Sequence, residues 1–68
     1  MTFDKACEKA KKLSAEKHAG YFVYINTDFE NRSFDVISEN DYNWIDLDIA
    51  EDDVKRLYYD GELSEDYS

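Results

Sequence analysis

Cys7 is the only cysteine in this chain of 68 residues, so no disulfide can form within it. Domains this short bury a smaller fraction of their surface than larger ones, and many gain stability from disulfides or a bound metal. One cysteine and one histidine supply too few ligands for a structural zinc site. Apolar burial must therefore offset nearly all the conformational entropy lost on folding, on the order of 100 kcal/mol. Hydrophobic residues make up 43% and aromatic residues 16% of the chain, and we expect one small folded domain over residues 1–68.

The sequence also argues against membrane and secreted classes. The longest apolar run, residues 21–25, is far too short to cross a bilayer. Residues 1–5 lack the apolar stretch of a secretory signal. We therefore expect a soluble protein of a reducing compartment, most simply the cytoplasm, with no membrane partner.

Charge is unevenly distributed along the chain. Residues 1–20 carry five lysines and three acids, which gives them a formal charge of +2. Residues 21–68 carry fourteen acids and three bases, which gives them a formal charge of −11. The formal charge of the whole chain is therefore −9. Most of such a surface repels phosphate groups and attracts basic surfaces. The chain is therefore expected to bind a basic partner and not to bind nucleic acid directly.

Residues 2–19 have the spacing of an amphipathic helix. Apolar side chains recur three and four positions apart at Phe3, Ala6, Cys7, Ala10 and Leu13. Thr2 is a suitable N-cap, and Gly20 is expected to take the positive φ that ends the helix.

Three strands are predicted to follow, over residues 21–26, 33–38 and 42–47. The first two are rich in aromatic and β-branched residues, and the third alternates between two sets of side chains. Polar turn residues separate them, and connections this short favour an antiparallel meander.

A second helix is predicted over residues 49–60. Asp48 and Glu51 fit an N-terminal capping arrangement, acids precede bases along the segment, and Gly61 can close it. Its buried stripe is expected to contain Ala50, Val54, Leu57 and Tyr58. Residues 62–68 are expected to form an acidic tail.

The predicted fold is a single α+β domain of order α-β-β-β-α, with a three-stranded antiparallel meander packed against helices. The sheet face under the first helix is expected to present Val23, Ile25, Phe34, Val36, Ile45 and Leu47. The other face is expected to present Phe22, Tyr24, Asp35, Ile37, Tyr42, Trp44 and Asp46. Left bare, that face would be an unusually large apolar patch, so either the second helix or a partner covers it.

Candidate catalytic and metal-binding residues are few. Cys7 and His18 would lie about 16 Å apart along one helix, too far to act as a nucleophile–base pair, and Cys7 on the apolar stripe is expected to be a small buried hydrophobe. His18 is expected at the surface or in the helix C-cap. The acids of residues 46–53 lack the glycine and ligand spacing of a calcium loop. We expect no enzyme activity, no metal and no cofactor.

The acids themselves are the candidate functional element. On a strand, Asp46 and Asp48 would lie about 6.6 Å apart on one face, comparable to neighbouring phosphates of a nucleic-acid strand. Aromatic side chains interleaved with the acids could anchor a contact. The predicted partner-binding residues are Asp46, Asp48, Glu51, Asp52, Asp53 and Asp60 as phosphate surrogates, with Tyr42, Trp44, Tyr58 and Tyr59 as anchors.

The chain resembles phage-encoded inhibitors of the anti-CRISPR and anti-restriction type that mimic DNA. The shared features are small size, acidity, few cysteines and a predicted order of a helix, a three-stranded meander and a further helix. The element order is also similar to that of one Cas9-inhibiting anti-CRISPR family. The resemblance implies a stoichiometric inhibitor that blocks the basic nucleic-acid-binding surface of a host defence complex in the host cytoplasm.

Two alternatives remain open at the level of sequence. The same electrostatics suit an immunity protein or antitoxin that neutralises a basic nuclease toxin. A small structural or adaptor module, dimeric through the aromatic sheet face, would bind no basic protein, and the chain is compatible with a monomer or a homodimer.

Overall fold

A computed structural model describes residues 1–26, 33–42 and 51–67, with only the backbone of Glu51 included. Its elements in chain order are helix α1 (Phe3–Lys17), strands β1 (Gly20–Asn26) and β2 (Ser33–Ser38), helix α2 (Glu39–Tyr42), a 3₁₀ turn (Glu51–Asp53), and strands β3 (Val54–Tyr59) and β4 (Glu62–Asp66). The strands form one sheet of order β2-β1-β3-β4 in which all neighbours are antiparallel. Within the described ranges, no helix is long and apolar enough to cross a membrane.

The first helix begins as predicted and ends differently. Thr2 is the N-cap, and its side chain accepts a hydrogen bond from the backbone N–H of Lys5. The C-cap is His18, which takes the left-handed conformation at φ 51°, so the prediction that Gly20 closes the helix is wrong. Gly20 instead begins β1, where an added Cβ would lie 2.5 Å from Glu39 Oε2. His18 was expected at the surface or in the C-cap, and it occupies both positions.

The core lies between α1 and one face of the sheet, here called the inner face. The fully or nearly buried apolar residues of this layer are Ala6, Cys7, Ala10, Val23 and Tyr58, with Phe3, Tyr21, Phe34 and Val36 packed against them. The register places Val23 opposite Val36 and Ile25 opposite Phe34. The predicted inner-face positions on β1 and β2 are therefore confirmed, as is the burial of Cys7, whereas Ile45 and Leu47 lie outside the described residues.

The prediction of a helix over residues 49–60 is wrong for its described part. Residues 51–53 form the 3₁₀ turn and 54–59 form β3, which pairs with the free edge of β1. Both Val54 and Tyr58 are buried as predicted, but as strand residues. A register shift between Val23 and Tyr24 accommodates the extra residue Lys55 in β3. Pairing with residues 20–24 of the central strand β1 outweighed the short-range helical signals of this segment.

The predicted tail is also corrected, because residues 62–66 form the edge strand β4. A two-residue loop, Asp60–Gly61, joins β3 to β4, with φ 53° at Asp60 and φ 84° at Gly61. Positive φ at both positions is typical of the type I′ turns that join antiparallel strands, for which Asp-Gly is a preferred sequence. The turn thus explains why the chain reverses here.

The third predicted strand, 42–47, cannot be assigned as a whole. Tyr42 ends α2 and does not begin a strand, and residues 43–47 lie outside the described ranges. The α+β class, with a leading helix on an antiparallel sheet and a further short helix, is confirmed. The element order agrees with the prediction only approximately, because the strands that complete the described sheet come from residues 54–66.

Candidate functional site

The face of the sheet turned away from α1, here called the outer face, carries alternating apolar and acidic side chains. Phe22 lies opposite Ile37 on β2 and opposite Leu57 on β3, and Tyr24 lies opposite Asp35. These are the outer-face positions that the sequence predicted for β1 and β2. Leu57 in turn lies opposite Glu65 of the edge strand. The sheet register therefore brings acids from both edge strands to the border of an apolar face.

One end of this face contains an open groove of about 480 Å³, here called the aromatic groove. It is lined by Phe22, Tyr42, Asp52, Val54 and Tyr67. The Phe22 and Tyr42 rings are tilted by 47° and their centres lie 4.8 Å apart. Val54, the apolar aliphatic residue of this lining, is buried. Among the described residues, the lining thus combines three aromatic rings with the Asp52 carboxylate.

Tyr67 is held beside the groove by the backbone. Its N–H donates to Lys55 O over 2.8 Å, so the chain after β4 continues alongside β3. The side chain remains 53% exposed. Partial burial, followed by the charges of Glu65 and Glu39, raises the pKa of Tyr67 above its ordinary value. The groove therefore lies in a negative field to which carboxylates from two separate elements contribute.

Asp52 is the carboxylate that lines the groove. It is exposed in the 3₁₀ turn that leads into β3. The neighbouring Lys55 donates from Nζ to the backbone oxygen of Asp52 over 3.1 Å. In the described part of the chain, no hydrogen bond or salt bridge engages the Asp52 carboxylate.

The structure separates the predicted partner-binding residues into groups. Tyr42 and Asp52 meet in the aromatic groove, and Glu51 and Asp53 belong to the same 3₁₀ turn as Asp52. Asp46, Asp48 and Trp44 lie outside the described residues.

Tyr59 and Asp60 lie at the opposite end of β3, about 20 Å away for a six-residue strand. Tyr59 is 52% exposed. The Asp60 carboxylate is 3.0 Å from His18 Nδ1, and both side chains are exposed. This pair links the C-cap of α1 to the β3–β4 turn, so these residues do not extend the groove.

Tyr58 is removed from the predicted contact set. It is only 6% exposed and lies under α1. Its hydroxyl accepts a hydrogen bond from Arg56 Nη1 over 3.2 Å, and the same nitrogen lies 3.7 Å from Cys7 Sγ. The Arg56 guanidinium also lies 4.8 Å from the centre of the Phe3 ring. The helix prediction failed for this segment, and because β3 turns Tyr58 under α1 the expectation that Tyr58 contacts a partner is wrong.

Positive charge is concentrated on the helix side of the molecule. The exposed lysines of α1 are Lys5, Lys9, Lys11, Lys12 and Lys17. Asp52 lines the groove, and the charges of Glu65 and Glu39 act on Tyr67. The described contacts between a basic and an acidic side chain are His18–Asp60 and Arg56–Asp66, and neither involves the groove carboxylate. The basic segment therefore does not neutralise the groove.

The predicted set of partner-binding residues did not include Phe22, Val54 and Tyr67. Phe22 was placed on the correct face, and its pairing with Tyr42 follows from the short α2, which no periodicity indicated. Tyr67 could have been found from the Asp60–Gly61 hairpin signal, since a strand after that turn carries the chain back along β3. Val54 was assigned to a helix stripe.

No cluster of His, Cys, Asp and Glu suited to a metal ion occurs among the described residues. Comparisons of the chain with protein-family models, with curated proteins and with solved structures gave no match.

Proposed function

We propose that this protein is a stoichiometric inhibitor that occupies the basic nucleic-acid-binding surface of a host defence complex, in the manner of anti-CRISPR and anti-restriction proteins, in the host cytoplasm. The observation that carries the proposal is the aromatic groove with its surrounding carboxylates, on the side of the sheet away from the lysine-bearing helix. A folded scaffold with fixed carboxylates can compete for a cleft that binds phosphates. Exposed rings beside the acids add contact area with little loss of side-chain entropy.

Charge balance supports a basic partner over a nucleic acid. Residues 21–68 carry a formal charge of −11, and the outer face and its borders are built from this part of the chain. Such a surface repels phosphates and accelerates encounter with cationic clefts. The +2 segment, residues 1–20, forms mainly α1 on the other side.

The test is displacement of nucleic acid from an effector. A fluorescently labelled DNA duplex is bound to a guide-loaded Cas9-type effector or to a type I restriction enzyme, and the unlabelled protein is added. We expect a fall in anisotropy that saturates at one protein per effector. The affinity should weaken about tenfold between low and physiological salt, because screening and counterion competition both act on the contact. Displacement from neither effector, or an affinity that does not change with salt, would contradict the proposal.

A basic nuclease toxin serves as the comparison partner. Selective binding and inhibition of such a toxin, with no displacement from either defence effector, would identify an immunity protein instead. Sedimentation of the protein alone distinguishes the inhibitor and the immunity protein from a structural homodimer. Such a homodimer would sediment as a dimer and would bind neither defence effector nor the toxin.

A further inference from the structure

We propose that the aromatic groove binds one arginine side chain of the protein partner. This inference rests on the proposed function for the natural partner, and it names the group that the groove receives. Its basis is the lining itself, in which three aromatic rings and the buried Val54 stand beside the Asp52 carboxylate. A planar cation that stacks on rings and donates hydrogen bonds at its edge matches that set of groups.

The protein already holds one of its own arginines with the same chemistry. On the inner face, Arg56 lies over the Phe3 ring at 4.8 Å, donates to the Tyr58 hydroxyl over 3.2 Å and places Nε 3.6 Å from Asp66. Phenylalanine, tyrosine and aspartate thus combine around a guanidinium within this fold. The groove presents the same three residue types with no cation of the described chain placed against the Asp52 carboxylate.

The size of the groove fits a side chain and not a bare ion. Its volume of about 480 Å³ falls within the range of roughly 300–1,000 Å³ found for small-molecule sites. A hydrated metal ion would leave the three rings without a role. An arginine can place its methylene groups against Val54 and its guanidinium against the rings.

The field at the groove favours a cation and disfavours a phosphate. Burial first, and then Glu65 and Glu39, raise the pKa of Tyr67, so negative charge acts on the groove from β4 and α2 as well as from Asp52. Arginine fits better than lysine because its guanidinium is more weakly hydrated and can stack while donating to a carboxylate. Lys55 does not fill this role, since its Nζ is engaged with the backbone oxygen of Asp52.

The first experiment uses the intact protein and three short peptides in NMR titrations. One peptide alternates glycine and arginine, the second has lysine in place of arginine, and the third has citrulline, which keeps the shape of arginine without its charge. We expect the arginine peptide to shift the ring signals of Phe22, Tyr42 and Tyr67 in a saturable way. The lysine peptide should bind about threefold or more weakly, and the citrulline peptide about tenfold or more weakly.

Matched variants then test whether the arginine peptide binds in the aromatic groove. Tyr67→Leu and Asp52→Asn should each weaken arginine-peptide binding by about three- to tenfold. Tyr59→Leu and Glu62→Gln are the controls, because they remove an equally exposed ring and an exposed carboxylate at the other end of β3, and they should leave binding unchanged. If Tyr67→Leu does not fold, Asp52→Asn and the citrulline comparison on the unaltered protein still decide the question.

Several results would overturn the inference. One is equal binding of the arginine peptide and either the citrulline or the lysine peptide. Another is an equal loss of peptide affinity in the groove variants and the control variants. A third is a shift of the ring signals that follows protein concentration without peptide, which would assign the groove to a second copy of this chain. The outcome is separable from that of the proposed function. Displacement of DNA from an effector with unaffected groove variants would reject the arginine site alone, whereas arginine-specific ring shifts without any displacement would reject the inhibitor function alone.

Discussion

Gly61 donates its backbone N–H to Ser14 Oγ over 2.9 Å, and Ser14 in turn donates to Lys11 O over 2.9 Å. Ser14 is fully buried, so this hydroxyl joins the last turns of α1 to the β3–β4 loop without access to water. A buried N–H that loses its acceptor bears the cost of its desolvation.

We therefore expect Ser14→Ala to lower the free energy of unfolding by about 1–3 kcal/mol. Urea denaturation monitored by circular dichroism measures the change. Ser64→Ala, at an exposed position of β4, is the control and should change stability by less than about 0.5 kcal/mol. A Ser14→Ala protein as stable as this control would show that the bond contributes nothing.

The two glycines of the chain should respond differently to alanine. Gly61 has φ 84°, and an added Cβ would lie 3.1 Å from Ala15 Cβ on α1. At Gly20 the nearest atom to an added Cβ is Oε2 of Glu39, the end of a flexible side chain. We expect Gly61→Ala to cost about 1–2 kcal/mol of unfolding free energy and Gly20→Ala clearly less. Thermal and urea unfolding of the two variants provide the comparison, and the reverse order would contradict this account of the hairpin.

The elements that the sequence predicted correctly are those whose formation is determined by residues within the same segment. Spacing of apolar residues and the Thr2 cap define α1, and runs of aromatic and β-branched residues define β1 and β2. Residues 54–59 were misassigned because their apolar positions also fit a helical stripe, and the acids before them fit a helix N-terminus. The deciding factor was the pairing with β1, a contact between residues 30 to 39 positions apart, which no local pattern contains.

The groove could be predicted only in part for the same reason. Acidity and aromatic content indicated the kind of surface, and Tyr42 and Asp52 were both among the expected contacts. Their meeting depends on α2 and on the 3₁₀ turn, while Tyr67 arrives through β4. Tyr58 was assigned both to a buried stripe and to the contact set, and only its burial is confirmed, because the direction of its side chain depends on the strand register and not on its neighbours in sequence.

Ionisation of the Tyr58 phenol should lower the stability of the folded protein at alkaline pH. Burial raises the pKa of Tyr58 above its ordinary value of 10.0, a hydrogen bond with Cys7 adds to the shift, and Arg56 partly opposes it. The folded protein therefore holds the phenolic proton more tightly than the unfolded chain. Its contribution to stability is complete below about pH 10 and is lost as the pH rises through the higher pKa of the folded state.

Urea unfolding measured at neutral pH and at several values above pH 10 tests this. Tyr58→Phe should be about 1 kcal/mol less stable at neutral pH, through loss of the Arg56 hydrogen bond. It should also show a weaker decline of stability at high pH than the unaltered protein. Tyr59→Phe, an exposed position, should retain the original decline. Equal declines for Tyr58→Phe and the unaltered protein would mean that this hydroxyl does not titrate differently on unfolding.

The position of the carboxylates, and not only their number, should govern association with a basic effector. Asp52 lines the groove and Glu65 acts on Tyr67 at its border, whereas Glu8 and Glu16 are exposed on α1 at the helix side. The double variants Asp52→Asn/Glu65→Gln and Glu8→Gln/Glu16→Gln remove the same charge. By stopped-flow mixing at low salt, we expect the first to slow association about two- to fivefold and the second to have little effect, since steering depends on charges that face the cleft. Equal slowing by both would show that only the overall charge matters and that the outer face does not contact the effector.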